Sequence, residues 1–271
     1  MRIFKTIIDF YIESSLHVAF AVYALLWVTF FKLNIPYAAA VTNFGFFGSI
    51  AGYNFIKYDE LARIKKVELT TKFKLIIGLS LISLFASVFY FFQLQTNTKV
   101  LGIFTLVLTV LYTLPFIPSK ENLRNWSGIK IYLVAIAWVV VTLVLPIINA
   151  DLDFSIIVII TFIQRFILVF VLMLIFEIID LKVDNFYLKT IPQQIGTNKT
   201  KYLSYFLLFL FVILESVKPS VIENDLVITL LIVFLIAIFT FFANFKRNHY
   251  YTSFWVESVP IVWLALLLLF G

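Results

Sequence analysis

The sequence predicts an all-α, polytopic membrane helical bundle, and three observations lead there. Of its 271 residues 62% are hydrophobic and 13% charged, with a mean hydropathy of +1.04, whereas a soluble domain is about half apolar and about a quarter charged. The apolar residues fall in long runs without period-2 alternation, so helices rather than a β-barrel satisfy the backbone in lipid. The basic residues collect between alternate pairs of runs. This composition excludes a soluble enzyme, a disordered chain and an ordinary nucleic-acid binder, in spite of a formal net charge of +6.

A bilayer core takes roughly 20 apolar residues per helix. Nine runs meet that need, at about 14–31, 37–56, 74–94, 99–117, 129–149, 154–178, 202–217, 226–244 and 254–270. The seventh is the shortest and carries Glu215 near its end. The N-terminal stretch has no short apolar core leading to a small-residue cleavage site, and Asp9 and Glu13 interrupt it. It reads as a retained first span rather than a signal peptide.

With the N-terminus inside, 17 of the 21 lysines and arginines fall on the cytoplasmic side. Lys32, Lys99 and Lys218 fall on the other side, and Arg165 lies within a span. Nine helices, N-inside and C-outside, follow from the positive-inside rule, which accounts for most of the net charge without a nucleic-acid partner. With no linker, low-complexity tract or internal duplication, residues 1–271 form one domain. The expected location is the inner (cytoplasmic) membrane of a bacterium.

Cysteine is absent and histidine occurs only at positions 17 and 249, which excludes disulfides, thiolate metal sites and cysteine nucleophiles. Without CxxC or GxxxxGK[ST], redox and P-loop ATPase readings also fall away.

Ionisable groups at membrane depth are functional candidates by default, and here they gather near the cytoplasmic ends. Glu13 and His17 lie on the first span, Asn54 on the second, Tyr112 on the fourth, Glu177 and Asp180 on the sixth and Glu257 on the ninth. In FEIIDLKVDNFYLKTIPQQIG (176–196), a continued helix would set Glu177, Asp180 and Asp184 at i, i+3 and i+7 on one face. Three such carboxylates repel one another unless a cation lies among them or some are protonated. Magnesium suits the pattern, because it takes one or two carboxylates and leaves its other positions to water and phosphate. Lys182 and Lys189 are close enough in sequence to contact that phosphate. The plain alternative is a solvated helix end paired with lysines, and the two stand about even on spacing alone.

GYNFIKYDE (52–60) is the second candidate. Asn54 offers a carbonyl oxygen to a metal and Asp59 or Glu60 a carboxylate, while Lys57, Arg63, Lys65 and Lys66 would neutralise a diphosphate. A span end followed by a charged loop explains the composition about twice as well. Arg165, roughly mid-membrane and about 18 Å of helix rise from Glu177, reads as a structural hydrogen-bonding or ion-pairing residue more than a substrate contact. His17 reads the same way rather than as an acceptor-site base. Glu257 lines the same cavity or lies at the interface. The 32 phenylalanines read as lipid-facing and packing residues.

Nine spans, an inside N-terminus and polar motifs in the 2–3 and 6–7 loops resemble the UbiA-type intramembrane prenyltransferases over essentially the whole chain. Glu177, Asp180 and Asp184 match the acids of that superfamily's second motif, and Thr190, Pro192 and Gly196 its Thr-x-Pro-x-x-x-Gly tail, with the intervening segment one residue short. In the first motif Asn54 fits, but Phe55, Tyr58 and Ala62 stand where aspartates belong. Tyr112 fits a Tyr-x-x-x-Lys element whose lysine is Phe116 here, with Lys120 or Arg124 as substitutes.

The resemblance implies Mg2+ and an isoprenoid diphosphate held by Asn54, Asp59, Glu177, Asp180 and Asp184. Asp180, Asp184 and Asn54 would be catalytic. Tyr112, Lys120, Arg124, Lys57, Arg63 and Lys189 would bind substrate. The chain would pass a prenyl group to a lipophilic acceptor such as an aromatic quinone precursor, within membrane lipid. The incomplete first motif supports a different expectation: a non-catalytic lipid- or quinone-binding protein, or a subunit with partner proteins in a membrane complex. A transporter is weaker, for want of an inverted repeat or paired broken spans.

Overall fold

The computed structural model describes residues 2–64, 70–115, 122–219 and 223–271, without the side chains of 2, 3, 60–64 and 223. Lys65, Lys66, Phe116 and Lys120 therefore lie outside the described residues, as do the side chains of Glu60, Ala62 and Arg63. No strand occurs among the described residues. The chain opens with α1 (Arg2–Glu13) and α2 (Leu16–Lys32), bent 61° from each other at Ser14–Ser15. Next come α3 (Ala39–Ile64), α4 (Thr71–Phe92) and α5 (Thr96–Thr113). Helix α6 (Lys130–Val139) runs through a π-helical segment, Val140–Val144, into α7 (Leu145–Asn149). Helix α8 (Ile156–Asp180), the short α9 (Ile191–Ile195) and α10 (Thr197–Ser216) follow. Then α11 (Glu223–Phe242) leads to a second π-helical segment, Tyr251–Val256, and to α12 (Val259–Phe270).

Among the described residues six helical stretches are long and apolar enough to cross a bilayer: α4, α5, α6–α7, α8, α11 from Asn224, and Tyr251–Phe270; the bent α1–α2 pair would be a seventh. The chain is an integral membrane protein. The runs at 37–56 and 202–217 fall on α3 and α10, which are helical but outside that set. Asn43, Asn54 and Lys57 on α3, and Lys199, Lys201 and Glu215 on α10, make those helices more polar.

Helices α2 and α8 form the inside of the bundle. Leu25 and Val28 of α2 meet Leu168, Val171 and Ile175 of α8, with Phe211, Ile232 and Trp263 from the last three long helices closing around them. On the other flank Val22, Leu26 and Phe30 pack against Val139, Leu143 and Leu145 along the bent α6–α7. Helix α4 points Leu81, Ile82, Phe85 and Phe89 outward. An apolar exterior of that extent is stable against lipid, not water.

Arg165 is buried in this interior. Its guanidinium donates to the Leu25 carbonyl at 3.1 Å, to Thr142 Oγ1 at 2.9 Å and to Thr29 Oγ1 at 3.2 Å. It stitches α8 to α2 and to the first π-helical segment, where the widened turn brings Thr142 to it.

Candidate functional site

Helix α8 stops at Asp180 rather than continuing, so Asp184 sits in the turn beyond it, with its N–H donating to the Asp180 carbonyl at 2.8 Å. The single helical face expected for the three acids is thus a helix end plus a turn. The acids remain neighbours all the same: Asp184 and Asp180 are within electrostatic range of each other, of Glu177 and of Lys130. Glu177 is buried and accepts the N–H of Ile191 at 3.0 Å, which pins α9 under the end of α8. Lys130, at the start of α6, reaches Asp184 Oδ1 at 3.9 Å.

Helix α9 begins at Thr190-Ile191-Pro192, and Gln193 Oε1 accepts the Thr190 N–H at 2.9 Å. Proline at the first turn costs no hydrogen bond. The preceding Lys189 takes a left-handed φ of 46° and its side chain is exposed. Gly128, at φ 72°, donates to the Leu188 carbonyl at 2.9 Å, docking the 122–130 segment against the 186–189 segment. That docking brings Lys130 and Arg124 to the acids.

Tyr112 is buried near the end of α5, with Arg124, Asp184 and Glu177 in electrostatic range. Arg124 also reaches the Ile56 carbonyl at 3.5 Å. Glu177, Asp180, Asp184, Tyr112 and Arg124 therefore share one end of the bundle. Lys130 was not singled out from sequence, since a lysine at the start of an apolar run looks like an ordinary interfacial residue.

The donor set bears on a metal. Asp184 Oδ2 and Thr190 Oγ1 are buried without a hydrogen-bond partner, the condition of groups waiting for a ligand. Yet among the described residues no three His, Cys, Asp or Glu side chains gather as a metal-holding group. The residues fit a cation held by one or two carboxylates whose other positions go to phosphate and water. They do not fit a three-carboxylate cage.

The second expected motif is used differently. Helix α1 ends at a sharp break, where Ser15 takes a left-handed φ of 62°, so its last carbonyls lack intrahelical partners. Asn54 Nδ2 donates to the Ser14 carbonyl at 3.0 Å, Lys57 Nζ to Ile12 at 3.2 Å and Tyr58 Oη to Glu13 at 2.9 Å. Asn54 also accepts from Ser15 Oγ at 2.8 Å and donates to Ser80 Oγ at 2.8 Å. Thus Asn54 locks α1, α2, α3 and α4 together, and a metal would have to share its carbonyl oxygen with Ser15. Asp59, half-buried on α3, has a contact of its own.

Asn54→Ala should therefore destabilise the apo protein by about 2 kcal/mol, since it strands the buried Ser15 hydroxyl and the Ser14 carbonyl, while the half-buried Ser80 keeps its bond to the Ile76 carbonyl. Thermal unfolding in detergent without ligand checks this. An unchanged midpoint would mean that the capping bonds are dispensable.

Between the two clusters lies a polar interior. Trp138 Nε1 donates to Tyr53 Oη. His17 contacts Tyr11 Oη at 3.0 Å through Nδ1 and the Phe254 carbonyl at 2.9 Å through Nε2. The carbonyl can only accept, so Nε2 carries the proton and Nδ1 accepts from Tyr11. Near this end a cavity of about 210 Å³ is lined by Asp9, Glu13, Lys57, Tyr58 and His249, among others.

No protein-family model and no curated protein sequence matches this chain. Its fold matches solved structures along nearly their full length. A UbiA homolog from Archaeoglobus fulgidus is similar at TM-score 0.64 and 15% identity, covering 95% of this chain and 97% of that one. The same homolog bound to GPP and Mg2+ aligns at TM-score 0.63 and 14% identity over 95% and 97%. A digeranylgeranylglyceryl phosphate synthase aligns at TM-score 0.57 and 16% identity over 99% and 97%. The chain has the UbiA fold.

Proposed function

We propose that this protein is a divergent UbiA-type prenyltransferase, transferring an isoprenoid chain from a polyprenyl diphosphate to a lipophilic acceptor inside the membrane. The observation that carries this is the unpartnered Asp184 carboxylate oxygen, set among Glu177, Asp180, Lys130, Tyr112 and Arg124 on a fold whose neighbour binds GPP and Mg2+. Asp184 and Asp180 would hold magnesium, which when bound neutralises the diphosphate as the allylic C–O bond ionises. Lys130 and Arg124 supply further positive charge where the leaving group develops its negative charge. Tyr112 directs its hydroxyl to the same end, and the apolar helices shelter the tail. On this reading the two helices α3 and α10 complete nine spans, N-inside and C-outside, in one domain. The active end faces the cytoplasm of a bacterial inner membrane, and the acceptor is an aromatic quinone precursor.

A second reading, a non-catalytic lipid- or quinone-binding member of the fold or a subunit of a membrane complex, is favoured by one observation. Asn54, Lys57 and Tyr58 are spent on capping α1, so these three groups hold the frame rather than a ligand.

Titration of magnesium and geranyl diphosphate into the detergent-purified full chain separates the two readings. Binding at about 100 times Kd adds about 2.7 kcal/mol of stability, so the unfolding temperature should rise, and Asp180→Ala/Asp184→Ala should abolish the rise. If neither short nor long donors shift the midpoint of the native chain, the transfer reading falls and the binding-protein reading stands.

A further inference from the structure

A second group of cations gathers away from the diphosphate cluster, where α10 begins and α11 ends. The two helices pack side by side through Leu208, Phe211, Ile228, Ile232 and Ile236. They run in opposite directions, so the start of α10 meets the end of α11. There Lys201 Nζ donates to the Phe241 carbonyl at 2.6 Å and Arg247 Nε to the Phe242 carbonyl at 3.2 Å. The last carbonyls of a helix lack intrahelical partners and form the negative end of its dipole, so cations are held in place there. Lys182, two residues beyond Asp180, sets its Nζ 4.3 Å from the Phe245 ring, which puts this loop at the same end of the bundle as the acids.

The turn after α11 is ordered by its own bonds. Asn244 Oδ1 accepts the Lys246 N–H at 3.1 Å, and the Asn244 carbonyl accepts the Arg247 N–H at 2.9 Å. The Arg247 guanidinium lies against Phe242 and Tyr251, 5.8 and 5.3 Å from their ring centroids. Lys201, Asn244, Lys246 and Arg247 line a cavity of about 430 Å³ together with Phe241 and Phe242. No acid lines it, and among the described residues no carboxylate pairs with any of these cations. Each carbonyl uses one N–H, and the remaining donors of the ammonium and guanidinium groups have no acceptor among the described residues. The positive-inside bias accounts for a basic loop. It does not account for cations from a helix start and a separate turn lining one cavity.

What borders the cavity decides its ligand. Phe241 and Phe242 are exposed on its rim, and α10 carries the outward rings Tyr202, Phe206 and Phe209 at i, i+4 and i+7. Phe234 lies two turns before Phe241 on the same exposed face of α11. Such an apolar surface is covered by lipid. A soluble anion would use the cations alone, whereas an anion with hydrocarbon tails uses both halves.

We propose that this cavity is a specific site for an anionic phospholipid. Lys201, Lys246 and Arg247 hold its phosphate ester, and its acyl chains lie along the outward rings of α10 and α11. The site is independent of the prenyl-transfer reading, since no residue of the diphosphate cluster lines the cavity.

The test titrates dioleoylphosphatidylglycerol and dioleoylphosphatidylcholine separately into the detergent-purified full chain and counts bound lipid by native mass spectrometry. The anionic lipid should bind at least about tenfold more tightly. One basic residue beside an anionic headgroup is worth about fivefold in affinity. Lys246→Gln should therefore weaken the anionic lipid by about fivefold, and Lys246→Gln/Arg247→Gln should cut its preference to about twofold or less. Neither variant should change phosphatidylcholine binding. Lys246 Nζ makes no hydrogen bond among the described residues, so the single variant should keep the native unfolding temperature. It reads the site even if Arg247→Gln loosens the end of α11. Glycerol 3-phosphate, an anionic phosphate without chains, should compete only weakly. Equal affinity for the two lipids, or a preference unchanged in Lys246→Gln, overturns the site. Glycerol 3-phosphate binding as tightly as the lipid also overturns it and assigns the cavity to a soluble phosphate.

Discussion

Glu215→Ala is expected to be among the most destabilising substitutions in this protein, at about 3–5 kcal/mol. Glu215 is buried at the end of α10, opposite the diphosphate cluster. Its Oε1 pairs with Lys32 Nζ at 2.6 Å and its Oε2 with Lys218 Nζ at 2.7 Å, and Gln164 Nε2 donates to Oε2 at 2.8 Å. Asp225 lies 3.8 Å from Lys32 and is the weaker partner. Burial and the neighbouring Lys32 together pull the Lys218 ammonium below its ordinary value, with Glu215 opposing them, so the cluster is desolvated. Removing Glu215 leaves two buried ammonium groups and a glutamine N–H without their shared acceptor.

Breaking such a pair costs far more than deleting it whole. The combined variant Lys32→Met/Glu215→Leu/Lys218→Met should accordingly recover most of the loss. Unfolding in detergent reads both variants. A Glu215→Ala midpoint close to that of the native chain would show that water reaches the cluster and screens it.

Asp184→Asn should do the opposite, leaving the fold intact and removing the chemistry. One Asp184 oxygen has no partner and the other only a 3.9 Å contact with Lys130. Its charge also repels the nearby Asp180 and Glu177, so neutralising it should change stability by less than about 1 kcal/mol. Magnesium-dependent diphosphate release from geranyl diphosphate should fall by about 100-fold, since a metal-held leaving group is worth several kcal/mol and each 1.4 kcal/mol is a factor of ten. Full turnover by Asp184→Asn would remove the residue from the site. A large loss of stability would assign it to the frame of the bundle instead.

These two residues show how differently a sequence displays its acids. Asp184 stands in a motif with Glu177, Asp180 and the Thr190–Gly196 tail, a local pattern that can be read without the fold. Glu215 is a lone acid near the end of an apolar run, with Lys218 three residues on, and its other partners lie 183 and 51 positions away at Lys32 and Gln164. Nothing local announces those two distant partners.

Asn54 teaches the converse. Its place in GYNFIKYDE fits a metal motif, whereas the break at Ser14–Ser15, which sets a helix end against α3, gives Asn54, Lys57 and Tyr58 carbonyls to cap. The bend depends on a left-handed serine, a conformation that ordinary residues adopt only where the surrounding contacts hold it.

By itself the sequence determined the membrane class, the helical architecture and the acids at the end of α8. Hydropathy and short-range spacing are one-dimensional quantities, and lipid leaves helices little alternative. Tertiary structure decided which polar groups are already satisfied and which are not. It ended α8 at Asp180, brought Lys130 to Asp184, caps to α1 and Lys32 to Glu215, and left one Asp184 oxygen without a hydrogen bond among the described residues. A buried polar group is defined by the bonds it makes or lacks, and those bonds join residues that only the packing of helices brings within 3 Å.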